Sequence, residues 1–260
     1  MAKNKLPDDI EVTHQARSSA CFTRETTAQH CTGLSSVLSE VSIESVARYF
    51  GGNRYTPDEK TAARILRAIN VAADLAAPQA IYHLFKVSQT IPGEQLILEN
   101  GTVISLPDCL ETSGACLVGV AIGTLGAGLE EHCRSLAADG DIYLSTLLDA
   151  IGTTMLDLVS ERICKDIAER CKHSELLRGP RFAPGIDGYP LENQRVLFEL
   201  TDHTSAGVSL NASSIMVPAK SISFFQTLTK TSRSEKPKNK CSQCRLPNCQ
   251  FRVISGQKDS

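Results

Sequence analysis

Tryptophan is absent from this sequence, and all aromatic side chains together make up only 5% of its 260 residues. Proteins that bind single-stranded nucleic acids commonly stack bases on exposed aromatic rings, so this scarcity argues against that mode of binding. A strong excess of charge is also missing, because the formal net charge at pH 7 is −2. Nucleic acids and anionic membranes attract strongly basic proteins, and we therefore expect neither as a partner.

A targeting segment and a long apolar span are lacking as well. The first nine residues are charged, and no apolar stretch follows them. The longest uncharged run, residues 112–129, contains Gly, Ser and Thr, which favours a buried strand entering a glycine turn over a membrane span. Ten cysteines form a disulfide framework mainly in small secreted chains. We therefore expect a cytoplasmic protein with reduced thiols.

Several cysteines have apolar neighbours in the sequence. Free cysteine is commonly buried as a small hydrophobic residue, and this is the expectation for five of the ten. These five are Cys109, Cys116, Cys133, Cys164 and Cys171.

Composition divides the chain into three regions. Residues 1–38 are polar and irregular, with clusters of Ser and Thr, and we expect a poorly ordered N-terminal extension. Residues 39–229 carry the periodic apolar patterns of a folded domain. Residues 230–260 contain a basic linker followed by a cysteine-rich tail.

Helices are predicted in two parts of the central region. Thr56 and Glu59 have the spacing of a capping box, so Thr56 is predicted to begin a helix. Apolar residues that recur every three or four positions predict a long helix over about residues 142–172. Gly152 inside it lowers helix propensity, which suggests close packing against a neighbour.

Strand and loop signals lie on either side of this long helix. Asn100 and Gly101 separate two apolar runs and are typical of a β-hairpin turn, because both accept positive φ angles. The continuous apolar run at residues 116–122 predicts a strand buried on both faces. Three prolines and three glycines within residues 178–190 predict an irregular loop.

A glycine-rich turn at Gly123, Gly126 and Gly128 invites comparison with phosphate-binding loops. Glycines before a helix allow the backbone to approach a phosphate group. The order of the glycines is not Gly-x-Gly-x-x-Gly, however, and Glu130 and Glu131 place negative charge in the first turn of the helix. We therefore favour a packing turn over a nucleotide site.

The loop over residues 178–190 has the chemistry of a ligand loop. Arginine presents a planar pair of N–H donors that suits a carboxylate. Proline and glycine expose backbone groups at fixed angles, which suits recognition of an adenine edge or an amino-acid portion. The loop residues alone leave two interpretations open, a ligand loop or a simple connector.

A second stretch downstream favours the ligand interpretation. Residues 181–185 read Arg-Phe-Ala-Pro-Gly, and residues 213–223 read Ser-Ser-Ile-Met-Val-Pro-Ala-Lys-Ser-Ile-Ser. In that order and spacing they resemble the activation domain of vitamin B12-dependent methionine synthase, in which an Arg-x-Ala-Pro-Gly-Tyr stretch holds S-adenosylmethionine. The resemblance covers about residues 41–230. It implies an α+β fold with a twisted, mainly antiparallel sheet and flanking helices.

The resemblance also implies the residues of the ligand site. The family's tyrosine after the glycine falls on Ile186, so Tyr189 is expected to take its place. An acidic residue of the family that contacts the ligand falls near Glu175. The cofactor-binding residues implied in this way are Glu175, Arg181, Ala183, Pro184, Gly185 and Tyr189.

The tail contains Cys241, Cys244 and Cys249, a pattern that suits a soft metal. Thiolates at this spacing can fold around an iron–sulfur cluster or a zinc ion, and a fourth ligand would come from elsewhere. The alternative is a flexible reduced tail or a thiol relay.

The function implied by the resemblance is reductive reactivation, in which S-adenosylmethionine remethylates an inactive cobalamin. The protein would be an accessory to a cobalamin-dependent methionine synthase or a related corrinoid methyltransferase, with a reductase or ferredoxin supplying electrons. The usual cobalt-ligating Asp-x-His-x-x-Gly stretch is absent from the sequence, so the cobalamin would lie on a partner protein acting in trans.

Two alternatives stay open. One is a scaffold that binds a corrinoid protein without a ligand of its own, and the other is an iron–sulfur electron carrier that docks to such a protein. No residue is assigned a catalytic role, because the histidines show no paired spacing with carboxylates.

Overall fold

The computed structural model describes residues 28–106, 114–186, 188–230 and 248–252. Helices and strands alternate along the described chain, and 3-10 turns join several of them. The helices are α1 (Leu34–Val37), α2 (Ile43–Gly51), α3 (Glu59–Leu75), α4 (Gly128–Ala138), α5 (Ile142–Arg170) and α6 (Gln194–Glu199). The strands are β1 (Gln29–His30), β2 (Gln79–Ile91), β3 (Gln95–Leu98), β4 (Val103–Ser105), β5 (Ala115–Thr124), β6 (Leu177–Phe182), β7 (Ser209–Leu210), β8 (Met216–Val217) and β9 (Ser221–Thr229).

A seven-stranded sheet organises the fold. Its strands run in the order β4-β3-β2-β5-β9-β6, and β1 pairs with β2 outside this path. Every pairing in it is antiparallel. The predicted hairpin is confirmed as β3 and β4, and the apolar run at residues 116–122 is confirmed as the buried strand β5. The α+β fold class is therefore confirmed.

Side chains of β9 separate the two faces of this sheet. Phe224 and Leu228 belong to the main hydrophobic cluster, which also contains the buried residues of α5. Phe225, between them, belongs to a second cluster with Leu197 of α6. Because successive strand residues point to opposite faces, α5 and α6 cover opposite sides of β9.

Helix α5 supplies much of the main core. Ile151, Met155, Val159 and Ile163 are all fully buried in it, as the apolar repeat predicted. A Cβ atom on Gly152 would lie 2.7 Å from Leu129 Cδ2, which confirms the close packing expected at this glycine. By length and composition alone α5 could span a membrane, but the burial of its apolar face explains its hydropathy as that of a core helix.

The N-terminal extension requires a correction. Residues 28–38 were expected to be poorly ordered, but β1 pairs with β2 and α1 packs on the core through Leu34. Cys31, which lies within this segment, is buried in the same cluster. Short elements such as these depend on distant partners and leave little local pattern. Residues 1–27 lie outside the described part of the chain.

The start of α3 differs from the predicted capping box. The helix begins at Glu59, and its N-cap is Asp58, whose side chain accepts a hydrogen bond from the Thr61 backbone N–H at 2.7 Å. Thr56 therefore lies before the helix. Aspartate and threonine are both good N-caps, so the local sequence did not distinguish the two positions.

The first half of the segment predicted as an irregular loop, residues 178–190, belongs to a β-strand. Residues 177–182 form β6, which pairs with β9 at the edge of the sheet, and only the residues that follow form a turn. The register shifts between Arg178 and Arg181, and this bulge accommodates Gly179 and Pro180. Proline is tolerated at edges and bulges because it has no N–H to donate to a ladder.

Candidate functional site

Arg181 lies on the edge strand β6, on the side of the sheet that α5 covers. It is paired with Gln226 of β9, and its Nη1 donates a hydrogen bond to Ser160 Oγ on α5 at 2.5 Å. Its guanidinium lies 5.1 Å from the centre of the Phe224 ring. These contacts hold a half-buried charge in a fixed orientation, as a binding arginine requires.

The turn after β6 exposes backbone close to Arg181. Gly185 has φ of 82°, a left-handed conformation that favours glycine, and its N–H donates to the carbonyl of Tyr189 at 2.7 Å. Pro184 is buried, whereas Gly185 and Ile186 are exposed, and Ala183 packs against the main core. The Ala-Pro-Gly stretch is therefore a tight turn with an exposed tip.

Tyr189 anchors this turn to the sheet. Its hydroxyl donates to the carbonyl of Ser105 on β4 at 2.8 Å, and its ring meets that of Phe225 edge-on at 6.2 Å. The side chain is 3% exposed, and this burial raises its pKa to about 12. The geometry therefore shows Tyr189 holding the loop in place.

Glu175 lies at the opposite end of β6 from Arg181. It has φ of 54°, is exposed and closes the 3-10 turn after α5. Glu175 lies before β6 begins at Leu177, whereas Arg181 lies near its end; the four residue steps from Leu177 to Arg181 span at most roughly 13 Å at about 3.3 Å each. Arg181 and the turn residues Ala183, Pro184, Gly185 and Tyr189 are adjacent along the chain, but the Arg181 side chain faces α5, whereas the Tyr189 ring packs against Phe225 on the other face of the sheet.

The Arg178 side chain pairs with Glu161, whereas Arg181 contacts Ser160. Its guanidinium makes a two-pronged contact with Glu161 of α5, with Nη1 2.7 Å from Oε1 and Nη2 2.8 Å from Oε2. This pairing raises the pKa of Arg178. Arg178 is therefore committed to an ion pair, whereas Arg181 makes none with the carboxylates in the described part of the chain.

The second motif folds around Ser214, which has φ of 60° and is 3% exposed. Gln194 Nε2 donates to the Ser214 carbonyl at 2.8 Å, and Arg195 Nε donates to the Ser214 hydroxyl at 2.8 Å. Gln194 Oε1 also accepts from the hydroxyl of Ser223 on β9, at 3.3 Å. The start of α6 thus joins the two ends of the second motif.

Sequence reasoning missed Gln194, Arg195 and Asn211. Asn211 Oδ1 accepts from the backbone N–H groups of Ser213 and Ile215, at 2.9 and 3.0 Å. Asparagine followed by small polar residues is a turn signal that could have identified this position. Gln194 and Arg195 carry no comparable local signal.

A shallow depression of about 360 Å³ borders the same network. Its lining residues are Arg195, Glu199, Leu210, Asn211 and Ala212. Its volume is within the range of small-molecule sites. It lies on the α6 side, whereas the Arg181 side chain faces α5.

Helix α5 carries a row of polar groups that fixes both motifs. Lys220 Nζ lies 2.9 Å from Asp149 Oδ1 and 2.9 Å from Thr153 Oγ1, and the second motif is attached there. Further along the same helix, Ser160 holds Arg181 of the first motif. Residues 149, 153 and 160 share one face, since their spacing follows the period of the helix.

The cysteines with apolar neighbours are placed largely as expected. Cys164 and Cys171 are fully buried, and Cys116 and Cys133 are half-buried. Burial raises the pKa of the Cys164 thiol, which keeps it protonated beside Arg181. Cys109 lies outside the described residues.

The glycine-rich turn packs against its neighbours. A Cβ atom on Gly128 would lie 2.8 Å from the Leu75 carbonyl oxygen, and one on Gly126 would lie 3.4 Å from Ala77 Cβ. The Ala77 N–H donates to the Leu125 carbonyl at 2.8 Å. These contacts account for the glycines by close packing.

The predicted metal site falls mainly outside the described residues. Cys241 and Cys244 belong to residues 231–247, and Cys249 alone of the three is described, as a half-buried free thiol. In the ranges that the structure describes, no group of three or more His, Cys, Asp or Glu side chains could hold a metal ion.

Comparison with known proteins relates this arrangement to one family. A sequence model of the family "vitamin B12 dependent methionine synthase, activation domain" matches residues 69–234, more than half of the chain. A solved structure, the crystal structure of the MetH reactivation domain bound to AdoHcy, superposes with a TM-score of 0.59 at 15% identity. The superposition covers 80% of each chain. Curated protein sequences give no match.

Proposed function

Because the chain belongs to the vitamin B12-dependent methionine synthase activation domain family, we propose that it takes part in the reductive reactivation of a corrinoid enzyme. That enzyme would be a cobalamin-dependent methionine synthase or a related methyltransferase. In this proposal the chain binds S-adenosylmethionine, the methyl donor, and docks to the partner that holds the cobalamin. The partner's cobalamin would supply the reacting metal, and this chain would position S-adenosylmethionine against it.

Arg181 carries the proposal. Ser160 and Phe224 hold its guanidinium, which has five N–H donors; Ser160 receives one, and the Cys164 thiol is a further neighbour. The remaining donors suit the carboxylate of S-adenosylmethionine. The exposed backbone at Gly185 lies after the same strand and suits the rest of the ligand. Tyr189 and Pro184 would then position the turn, with Ala183 holding it against the core.

Glu175 has a separate place in this proposal. Glu175 lies before β6 and Arg181 near its end. In this proposal Arg181 holds the carboxylate, and Glu175 would contact a different part of the ligand.

The first prediction concerns Arg181. Arg181→Ala should weaken AdoHcy binding by about 1.5–3 kcal/mol, because a charge-assisted contact in a half-buried site is lost. Isothermal titration calorimetry of the full chain with AdoHcy measures this directly. Arg178→Ala is the matched control, since it removes the same charge from the same strand and breaks the ion pair with Glu161.

Two results would count against ligand binding by this loop. One is the absence of heat at millimolar AdoHcy, and the other is an unchanged affinity in Arg181→Ala. Either would favour the alternative of a scaffold without a ligand. An equal loss of AdoHcy affinity in both arginine variants would indicate that net positive charge near the site, rather than a contact from Arg181, supports binding.

The reaction itself is tested with a corrinoid protein. Mixing the chain with a candidate corrinoid protein, a reductant and S-adenosylmethionine should convert the absorption spectrum to that of methylcobalamin. Transient contacts of this kind are small and partly polar, so micromolar concentrations are appropriate. A spectrum that stays unchanged with every corrinoid protein of the same organism would reject the reactivation role.

The second prediction concerns the cysteine tail, for which we propose an iron–sulfur cluster or zinc bound by Cys241, Cys244 and Cys249. Anaerobic purification followed by iron, sulfide and zinc analysis should find metal, and the double variant Cys241→Ser/Cys244→Ser should lose it. Cys116→Ser, on strand β5, is the matched control and should keep it. A cluster would favour electron delivery from a reductase or ferredoxin, whereas zinc alone has no redox chemistry. Absence of both metals leaves a reduced tail.

A further inference from the structure

The C-terminal segment 248–252 docks on helix α2. The Asn53 backbone N–H, just after α2, donates to the Gln250 carbonyl at 2.7 Å. The Phe251 ring lies 5.5 Å from the ring of Tyr49, centre to centre. The Arg252 N–H donates to the Cys249 carbonyl at 3.2 Å, so the segment is a tight turn that presents Phe251 to the helix.

The docked segment lies outside the region that the family's sequence model matches. The match covers residues 69–234, whereas α2 ends at Gly51 and the docked segment begins at residue 248. Helix α2 itself packs on the main core through Val46, so the docked segment is attached to an element of the folded domain.

The docked segment is linked to Arg181 of β6 through two groups of Asp157, its side-chain carboxylate and its backbone carbonyl. The hydroxyl of Tyr49, which packs against Phe251, donates to Asp157 Oδ2 on α5. One helical turn further, the Ser160 hydroxyl donates to the Asp157 carbonyl at 2.7 Å. The same Ser160 oxygen accepts from Arg181.

The hydroxyl group of Ser160 makes hydrogen bonds to Asp157 and Arg181 at the same time. A serine hydroxyl has one hydrogen to donate and lone pairs with which to accept. Because its hydrogen is directed to Asp157, its lone pairs are directed to Arg181. Ser160 is fully buried, so water cannot replace either contact. A shift of α5 at Asp157 therefore changes the position of the Arg181 guanidinium.

We propose that docking of segment 248–252 on α2 is coupled to ligand binding at Arg181 through Tyr49, Asp157 and Ser160. The proposal rests on the proposed ligand site. It assigns Tyr49 and Ser160 as positioning residues and makes the attachment of the cysteine-bearing tail responsive to the ligand. By linkage, a ligand that favours the docked arrangement must itself bind more tightly when the segment is docked.

Two measurements on the full chain test the coupling from both ends, and they form the third prediction. AdoHcy should slow hydrogen exchange of the Asn53 amide, which closes the contact with Gln250. Phe251→Ala should weaken AdoHcy binding on the order of fivefold, the lower end of common coupling strengths. Tyr49→Phe keeps the ring against Phe251 but removes the hydroxyl from Asp157. It should retain docking without AdoHcy and lose the effect of AdoHcy on Asn53.

Tyr143→Phe is the matched control for Tyr49→Phe. Tyr143 also packs on α2, where its ring meets that of Phe50 at 5.4 Å, but it lies at the start of α5 rather than at Asp157. This variant should leave both AdoHcy affinity and the exchange of Asn53 unchanged. Loss of the effect in both tyrosine variants would indicate general loosening of α2 and overturn the relay.

The outcomes separate the coupling from the proposed function. If AdoHcy binds the natural chain but neither alters Asn53 exchange nor responds to Phe251→Ala, the coupling is wrong and the ligand site stands. If the natural chain gives no heat with AdoHcy, both are overturned. If only the Tyr49→Phe result differs from expectation, docking and binding communicate by another route and the assignment of Tyr49 is wrong.

Discussion

Replacing Phe224 by alanine should lower the free energy of unfolding by about 3–5 kcal/mol. The ring is fully buried in the main core, on the face of β9 that α5 covers. Its removal leaves a cavity between a central strand and a long helix, neither of which can readily close the gap. Urea unfolding followed by circular dichroism measures the change.

Phe224→Leu is the matched comparison, since it keeps most of the apolar volume and should cost roughly 1.5 kcal/mol or less. Tyr143→Ala removes an aromatic ring that is 42% exposed and should also cost much less than Phe224→Ala. A small and equal loss for the alanine and leucine variants would mean that Phe224 does not fill the core as described. Both Phe224 variants remove the ring beneath Arg181, so a weaker affinity for AdoHcy is expected in each.

Gly179→Ala should detach β6 from β9 locally and weaken the proposed ligand site. A Cβ atom on Gly179 would lie 2.4 Å from Thr227 Oγ1 and 2.9 Å from the Thr227 carbonyl oxygen. Overpacking of this kind costs about 1–3 kcal/mol of unfolding free energy. Because Arg181 follows on the same strand, AdoHcy affinity should fall with it, as calorimetry and urea unfolding on one preparation would show.

Thr227→Ala offers a rescue in the same place. It removes the side-chain oxygen that the new methyl group would strike first, but not the backbone carbonyl. Gly179→Ala should therefore cost less unfolding free energy and less AdoHcy affinity in the Thr227→Ala background than in the natural chain. If Gly179→Ala is as stable as the natural chain, the edge strand is more loosely packed than the structure indicates.

The elements that were predicted well have local causes. The hairpin turn follows from Gly101, which has φ of 85°, and the hydrogen bond from its N–H to the Leu98 carbonyl closes it. Asn100 does not adopt the positive φ that was predicted for it. The long helix α5 follows from a stripe of apolar residues with helical spacing. In each, neighbours along the chain decide the conformation, so the sequence pattern suffices.

The elements that were predicted poorly depend on partners far away in the chain. Strand β6 contains Gly179 and Pro180, both unfavourable in strands, and it exists because β9 pairs with it. Strand β1 has only two residues and exists because β2 offers an edge. No property of residues 28–38 or 177–182 by themselves indicates those partners.

The sequence by itself determined the family through its two motifs, and the resemblance to that family implied the α+β fold. Apolar periodicity determined helix α5, because neighbouring residues express it. Tertiary structure alone decided what holds the candidate site. Ser160, Gln194 and Arg195 reach the two motifs from separate helices, and Phe251 reaches α2 from the far end of the chain. Hydrogen bonds and ring contacts between distant segments form only after the core brings those segments together, so no local pattern predicts them.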